Sequence, residues 1–380
     1  MMKMIIHLIR FLTGALFIFS GLIKANDPLG FGYKLEEYFV VFGTEFMAPL
    51  ATGLAIAICV LEVVLGIALW MGWKAKAVLG WLLAMILFFT FLTFYSAWFN
   101  KVTDCGCFGD FLHLTPWQSF SKDVVLLVMI VLLAINRKTI RPIGPAFLAP
   151  FMVALTAIAT MGFAFYTWNN LPYLDFRPYA IGKNLPEGMA IPEGAPTDVY
   201  KDLWYYRVDG KVGTYTTEQA PWDIIQANGE KAEYVDRKTE LVSKGYTPPI
   251  HDFVISDLNG NAYTDDFLQA EHCLLVISPF LDKASGDAWI KVAGALAWAR
   301  SRDVRIAILT GSGKGEIETF MAQYAASQWP FYQCDGTVLK TMMRSNPGLM
   351  VLRKGTVTAL YPARTFPDAK ALAALTGLKP

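Results

Sequence analysis

The sequence is poor in charged side chains and in cysteine. Charged residues fill only 17% of 380 positions and the net charge is +1, whereas a typical soluble domain is about 25% charged. No basic block alternates with aromatic residues, so the sequence offers no surface for nucleic acid. Five cysteines are too few for a disulfide scaffold. These shortages exclude the nucleic-acid-binding and disulfide-rich classes.

A cleavage signal is also missing after the first hydrophobic segment. That segment is long, carries Lys3 and Arg10, and is not followed by the small-x-small pattern of a removed signal peptide. We therefore interpret it as a retained membrane anchor.

Apolar residues make up 54% of the chain, and most of the excess lies before residue 170. A helix needs about 20 apolar residues to cross the hydrocarbon core. Five windows reach that length: 4–24, 48–72, 75–99, 117–136 and 144–168. The sequence thus predicts an all-α membrane bundle of about five helices, over residues 1–168, whose outer surface meets lipid.

Basic residues gather in three short segments at one end of these predicted helices. They are Lys3, His7 and Arg10, then Lys74 and Lys76, then Arg137, Lys138 and Arg141. The positive-inside rule assigns such segments to the cytoplasm. We therefore expect a multi-pass membrane protein with a cytoplasmic N-terminus and with loop 100–116 and all residues after 168 on the extracytoplasmic side.

The second half of the chain has a different pattern. Residues 169–247 predict an extended linker and a small β-rich segment, with a hairpin turning at Asp209-Gly210. From 248 to 380, strands alternate with helices, and an antiparallel hairpin around Lys354-Gly355 precedes a last helix. This order predicts a soluble α/β domain.

The loop after the third predicted span contains Cys105-Gly106-Cys107. A disulfide between these cysteines would close a small strained ring, and strain makes a disulfide easier to reduce. The nearest cation along the chain that could favour a thiolate is Lys101. We therefore hypothesise a thiol–disulfide relay.

Two alternatives stay open for this loop. It could be only a tight cap on the bundle, or it could hold a metal through both thiolates with His113 or Asp110. Asp110 would also oppose thiolate formation, because it is an anion close to the cysteines.

Several charges fall inside or at the ends of the predicted spans, where each costs free energy. Glu62 and Arg10 lie at similar predicted depth, so we expect them to pair, either as a packing salt bridge or around a proton-handling acid or polar pocket. Lys24 is expected to reach the outer interface by snorkelling. Lys122 and Asp123 are expected to order the cysteine loop, with headgroup water as the alternative.

The membrane half resembles the DoxX/MauE superfamily of small helical-bundle proteins. The residues that carry the resemblance are Arg10, Gly14, Phe17, Ser20, Gly21, Lys24, Glu62, Gly66 and the segment Asp104-Cys105-Gly106-Cys107-Phe108-Gly109-Asp110. The resemblance to MauE implies a membrane-linked thiol–disulfide function.

The soluble end resembles a thioredoxin-like domain of the redoxin type. Segment 251–260 resembles its opening hairpin, and Ser345-Asn346-Pro347-Gly348 resembles the loop where that fold places a cis-proline. The whole chain is similar to bacterial DoxX-like proteins with a fused periplasmic domain, which implies a bacterial inner membrane with the C-terminal domain in the periplasm.

One departure from the thioredoxin pattern is large. Where catalytic members carry Cys-x-x-Cys, this chain reads Ser278-Pro279-Phe280-Leu281, which excludes ordinary dithiol exchange. The resemblance then implies a docking domain that contacts partners through Pro347, Asn346 and Pro279.

Two functions follow as expectations. The first is a membrane-anchored thiol–disulfide accessory protein that uses Cys105 and Cys107 and docks an envelope or periplasmic protein. The second is a non-enzymatic scaffold subunit of an envelope complex. The sequence does not identify a cofactor or electron acceptor, for which a quinone is one candidate.

Overall fold

The computed structural model describes residues 2–102, 106–219, 226–227, 232–284 and 286–378. Contacts divide the chain into two compact units. The smaller is Leu185–His251, and the larger combines Met1–Asn184 with Asp252–Pro380. The larger unit contains an all-helical part and an α/β part.

Among the described residues, five helices of the first part are long and apolar enough to cross a membrane, which agrees with the predicted number. They are α1 (Met2–Asn26), α3 (Ala51–Met71, preceded by a 3-10 turn Glu45–Leu50), α4 (Ala75–Phe99), α5 (Pro116–Ile135) and α6 (Leu148–Asn169). An additional helix, α2 (Pro28–Val41), lies in a segment that the hydrophobic windows left as a loop. It begins at Pro28. Asp27, the residue before it, is the N-cap, because its side chain accepts a hydrogen bond from the Gly30 N–H.

Helices α1 and α3 pack antiparallel through small residues. A Cβ on Gly21 would lie 2.8 Å from the Cys59 carbonyl oxygen, and one on Gly66 would lie 2.8 Å from the Gly14 carbonyl oxygen. Only small residues allow two backbones to approach this closely within a membrane. The contact therefore fixes the register of the two helices, with Gly21 level with Glu62.

The predicted pairing of Arg10 with Glu62 is wrong. Arg10 instead donates from Nε to the Leu69 carbonyl oxygen at 2.7 Å and also binds the Trp70 carbonyl. The physical reason is the helix register, because Gly21 rather than Arg10 is level with Glu62. Those 11 residues of α1 correspond to roughly 16 Å, which is too far for the two side chains to meet.

The three basic segments do meet at one end of the bundle. Arg10 of the first also donates to the carbonyl of Arg141 in the third at 3.5 Å. Ile143, just after the third segment, donates a hydrogen bond from its N–H to the carbonyl oxygen of Met71, just before the second segment, at 3.0 Å. The opposite end carries α2, the cysteine loop and the α/β part.

The α/β part is built on a five-stranded sheet of order β6-β5-β4-β7-β8. Its strands are β4 (Cys273–Ile277), β5 (Arg305–Thr310), β6 (Phe331–Gln333), β7 (Gly348–Arg353) and β8 (Thr356–Pro362). Strands β4, β5 and β6 run parallel, whereas β7 and β8 are antiparallel to their neighbours. Every residue of β4 is buried, as expected for a central strand.

Helices cover this sheet. They are α8 (Thr264–Leu268), α9 (Gly286–Arg300), α10 (Lys314–Gln323), α11 (Gly336–Met342) and α12 (Ala369–Thr376). The core between α9 and the sheet contains Trp289, Leu296, Ile308 and Leu349.

The smaller unit contains the short helix α7 (Leu185–Met189) and a three-stranded antiparallel sheet of order β2-β1-β3. The strands are β1 (Val199–Val208), β2 (Lys211–Thr216) and β3 (Ala232–Ser243). The predicted hairpin is confirmed, because Val208 pairs with Lys211 across Asp209-Gly210. Strand β3 was not predicted.

Candidate functional site

A cavity of about 30 Å³ lies inside the helical bundle, toward the end that carries the cysteine loop. Such a volume accommodates about two water molecules. Its lining combines two ion pairs, a cysteine and apolar side chains, namely Leu16, Phe17, Ser20, Lys24, Glu62, Ile86, Phe89, Cys107, Phe108, Lys122, Asp123 and Leu126. The structure thus brings five of the candidate site residues predicted from the sequence to one place, namely Lys24, Glu62, Cys107, Lys122 and Asp123.

Lys24 and Glu62 form the first ion pair. The Lys24 Nζ lies 2.5 Å from Glu62 Oε1, and the two side chains are only 2% and 4% exposed. The rings of Phe31 and Phe89 lie 4.9 and 5.1 Å from the ammonium. The expectation that Lys24 snorkels outward is therefore wrong, because its side chain turns inward where a carboxylate and two aromatic faces stabilise the charge.

Lys122 and Asp123 form the second ion pair, at 2.7 Å. Asp123 is buried and also accepts the Thr93 hydroxyl of α4 at 3.1 Å. Lys122 lies 5.2 Å from the centre of the Phe108 ring, next to Cys107 in the cysteine loop. Lys122 therefore contacts that loop. Asp123 holds the Lys122 ammonium in an ion pair and also binds α5 to α4 through Thr93.

Cys107 is buried and lines the cavity. The Ser20 hydroxyl of α1 donates to its carbonyl oxygen at 3.0 Å, which holds this part of the loop against the bundle. Cys105, its predicted redox partner, lies outside the described residues. Lys101 is exposed, whereas Lys24 and Lys122 share the cavity with Cys107.

The α/β part docks onto this end of the bundle through Arg344, which follows α11. Arg344 Nε donates to Asp27 Oδ2 at 2.8 Å, and its Nη2 donates to Asp110 Oδ2 at 3.0 Å. The arginine side chain is only 6% exposed. One residue of the α/β part therefore joins the start of α2 to the cysteine loop.

The two carboxylates respond to this environment in opposite ways. Burial alone would raise the pKa of Asp27, but Arg344, Arg177 and the Gly30 N–H outweigh it and lower that pKa. Burial raises the pKa of Asp110, with Arg344 opposing and Asp27 adding to the rise. Arg344 is desolvated, yet both carboxylates raise its pKa. Asp27 is therefore the principal counter-ion of Arg344.

Lys340 and Tyr33 extend the same contact. The Lys340 ammonium lies 4.7 Å from the Tyr33 ring centre and 3.7 Å from Glu36 of α2. It also lies 5.0 Å from the ring of Phe280, in the segment that follows β4. The segment that follows β4 therefore faces α2.

The segment after β4 is bound to the loop before β7. The Ser278 hydroxyl donates to Asn346 Oδ1 at 2.6 Å, and Asn346 Nδ2 donates to the Phe280 carbonyl at 2.6 Å. The Asn346-Pro347 peptide bond is cis. Pro279 and Pro347 are buried and Asn346 is half-buried, so peptide binding by these three residues stays a prediction.

The remaining thiols of this part are inert in character. Cys273 and Cys334 are separate buried cysteines. Burial raises the pKa of Cys334 to about 12 and also raises that of Cys273. Among the described residues, no group of three or more His, Cys, Asp or Glu side chains could hold a metal ion.

Comparison with known proteins finds a similarity for the helical part. Residues 2–136 match the family model described as methylamine utilisation protein MauE. The matched region includes Arg10, Lys24, Glu62, Cys107 and both residues of the Lys122–Asp123 pair. Together with the five apolar helices, the match supports a multi-pass membrane protein of MauE/DoxX-like character. No curated protein and no solved structure matches the chain.

Sequence reasoning missed Arg344 and Asp27. Asp27 carried a local signal, because an Asp before Pro28 is typical of a helix N-cap. Arg344 carried none, since its partners lie 317 and 234 positions away along the chain.

Proposed function

We propose that this chain is a membrane-anchored thiol–disulfide accessory protein that uses Cys105 and Cys107. The observation that carries the proposal is the position of Cys107, which lines a cavity together with the buried Lys24–Glu62 pair and the partly exposed Lys122–Asp123 pair. A buried cation beside a cysteine favours the thiolate, which is the reactive form of the side chain. Lys24 supplies that cation, whereas the sequence alone pointed to Lys101.

The α/β part then acts as a docking domain of thioredoxin-like type. The strand order of its sheet supports this assignment. Ser278 stands where a catalytic member would carry cysteine, so the thiols must come from the bundle. Because Arg344 links this domain to Asp110 of the cysteine loop, a protein bound to the domain would lie close to Cys107.

The proposal includes an orientation. The three basic segments meet at the end of the bundle opposite the cysteine loop, and the positive-inside rule would keep them in the cytoplasm. Cys107 and the α/β domain would then lie in the periplasm, where disulfides persist. A reporter fused after residue 380 that is active only in the cytoplasm would contradict this orientation.

Thiol trapping in native membranes tests the function. Cells are quenched with acid, free thiols are alkylated, and mixed disulfides are separated without reductant. We expect a reducible, partner-linked form in the native chain, its accumulation in Cys105→Ser or Cys107→Ser, and its absence in the double variant. The matched control is Cys273→Ser, which removes a buried thiol that does not line the cavity and should leave the pattern unchanged.

The second candidate function is a non-enzymatic scaffold subunit of an envelope complex. Two observations favour it: Ser278 at the expected cysteine position, and the buried contact that already occupies Arg344. A scaffold would show identical trapping patterns in the native chain and in the Cys105→Ser/Cys107→Ser variant, while still co-purifying with its complex.

A further inference from the structure

One oxygen of Glu62 points to proton chemistry beside Cys107. Oε1 of Glu62 accepts a hydrogen bond from the Lys24 ammonium. Oε2 is buried and has no hydrogen-bond partner within the part of the chain that the structure describes. Buried acceptors are almost always satisfied in native proteins. Because Glu62 lines the cavity with Cys107, this oxygen is an acceptor held ready for a proton or a donor group in that space.

Lys24 is placed between two groups that can carry negative charge. It forms the ion pair with Glu62 and lines the same cavity as Cys107. A single ammonium can stabilise either a carboxylate or a thiolate without a change in the net charge of the site. Moving the proton between the two anions therefore avoids the cost of creating a new buried charge.

We propose that Glu62 accepts the proton of the Cys107 thiol across the cavity, with Lys24 as the fixed counter-ion of both. The S–H bond of Cys107 breaks and an O–H bond forms at Glu62 Oε2. No electron leaves the site, and one negative charge moves from the carboxylate to the sulfur. This inference rests on the proposed function, because the resulting thiolate is the group that would attack a partner's disulfide.

The other charged and titratable groups around the cavity are already balanced or neutral. On α5, Lys122 is paired with Asp123. Beyond the end of α1, Asp27 is paired with Arg344. On α3, Cys59 is buried and does not line the cavity. Lys24 is thus the cation whose pairing changes when the proton moves.

The alkylation rate of Cys107 tests this step. The full-length chain in native membranes carries Cys105→Ser, so that Cys107 cannot pair with its neighbour, and it is reduced before iodoacetamide is added. Mass spectrometry of the Cys107 peptide gives the rate between pH 6 and 8. An isolated thiol reacts about tenfold faster per pH unit in this range, since only the thiolate reacts. We expect a change of less than about threefold in total, because the proton stays within the site.

Charge variants separate this transfer from a permanently ionised thiol. Lys24→Met should lower the rate at pH 7 at least about tenfold, because the thiolate loses its counter-ion. Glu62→Gln should raise the rate, because Cys107 becomes the only anion facing Lys24. Glu62→Asp keeps the acid and should keep the flat pH profile. Arg10→Met, which removes a buried cation from the other end of α1, should leave the rate unchanged.

Two results would overturn the inference: a tenfold rise per pH unit in the Cys105→Ser parent, or an unchanged or lower rate in Glu62→Gln. The parent profile needs no charge variant, so it decides the matter even if Glu62→Gln does not fold. The outcome is also separable from the proposed function. A flat profile without any mixed disulfide in the trapping experiment would remove the exchange role and leave the proton transfer.

Discussion

The two ends of α1 each bury a cation, but they satisfy it differently. Arg10 is bound by the backbone carbonyl oxygens of Leu69 and Trp70 at the C-terminal end of α3, where the Leu69 carbonyl also accepts the Gly72 N–H. Lys24 is bound by the carboxylate of Glu62 beside a cavity and a cysteine. The first arrangement contains no titratable acceptor, whereas the second contains two.

This difference separates a structural charge from one that can take part in chemistry. Carbonyl oxygens stay neutral whatever happens to Arg10, so that end can only hold the helices together. A carboxylate and a thiol can exchange a proton while Lys24 stays charged. The same helix therefore closes one end of the bundle and equips the other end for reaction.

Removing Glu62 should have the largest effect on stability. Glu62→Leu leaves Lys24 buried without its anion and should cost about 3–5 kcal/mol of unfolding free energy. Lys24→Met/Glu62→Leu, which removes both charges, should recover most of that loss. SDS titration of the protein in mixed micelles measures each difference.

Arg10→Met serves as the comparison at the other end. It leaves neutral carbonyls rather than a charge, so its expected cost is smaller, about 1–3 kcal/mol. Equal losses for Glu62→Leu and Arg10→Met, or no recovery in the double variant, would contradict the distinction between the two ends.

Breaking the contact of Arg344 should loosen the α/β domain from the end of the bundle that holds the cavity. Arg344→Gln removes charged hydrogen bonds to Asp27 and Asp110 and should cost about 1.5–3 kcal/mol. Hydrogen exchange of the α2 amides should become faster. Arg353→Gln is a matched control, because Arg353 pairs with the half-exposed Glu271 on the same sheet, and it should leave α2 unchanged.

The two carboxylates that bind Arg344, Asp27 and Asp110, should differ in the pH range in which each one stabilises the contact. The pKa of Asp27 is lowered, so its stabilising effect is present above the ordinary value of 3.8 and is lost as the pH falls below it. The pKa of Asp110 is raised, so its contribution is present below 3.8 and is lost as the pH rises through the raised value. Near neutral pH, Asp27→Asn should therefore speed exchange in α2, while Asp110→Asn should leave it unchanged or slower. The reverse ranking would show that Asp110 is the principal counter-ion.

Sequence predicted the parts of the bundle better than their pairing. Long apolar runs define the spans so strongly that α4 was predicted with its observed ends, Ala75–Phe99. The 14-residue α2 was missed because it is too short to cross a membrane. The partner of Lys24 was missed because helix register depends on where Gly21 allows close approach, which no hydrophobic pattern records.

In the α/β part too, the sequence predicted the elements better than the contacts between them. Its longer strands and helices were predicted, but β6 has only three residues and gives no pattern of its own. The docking residue Arg344 resembles any surface arginine in the sequence, since its two carboxylates come from distant segments. Local patterns therefore gave the elements, and tertiary contacts created the candidate site.

Replacing Lys101 should have the smallest effect. It tests whether a lysine close to Cys107 in the sequence matters less than Lys24, which lines the same cavity as Cys107. Lys101 is the nearest lysine in sequence, but it is exposed and does not line the cavity. Water and salt screen an exposed charge strongly. Lys101→Ala should therefore change the alkylation rate of Cys107 by less than about twofold at 0.15 M salt. A decrease as large as that of Lys24→Met would show that the exposed lysine, rather than the buried pair, sets the reactivity of the thiol.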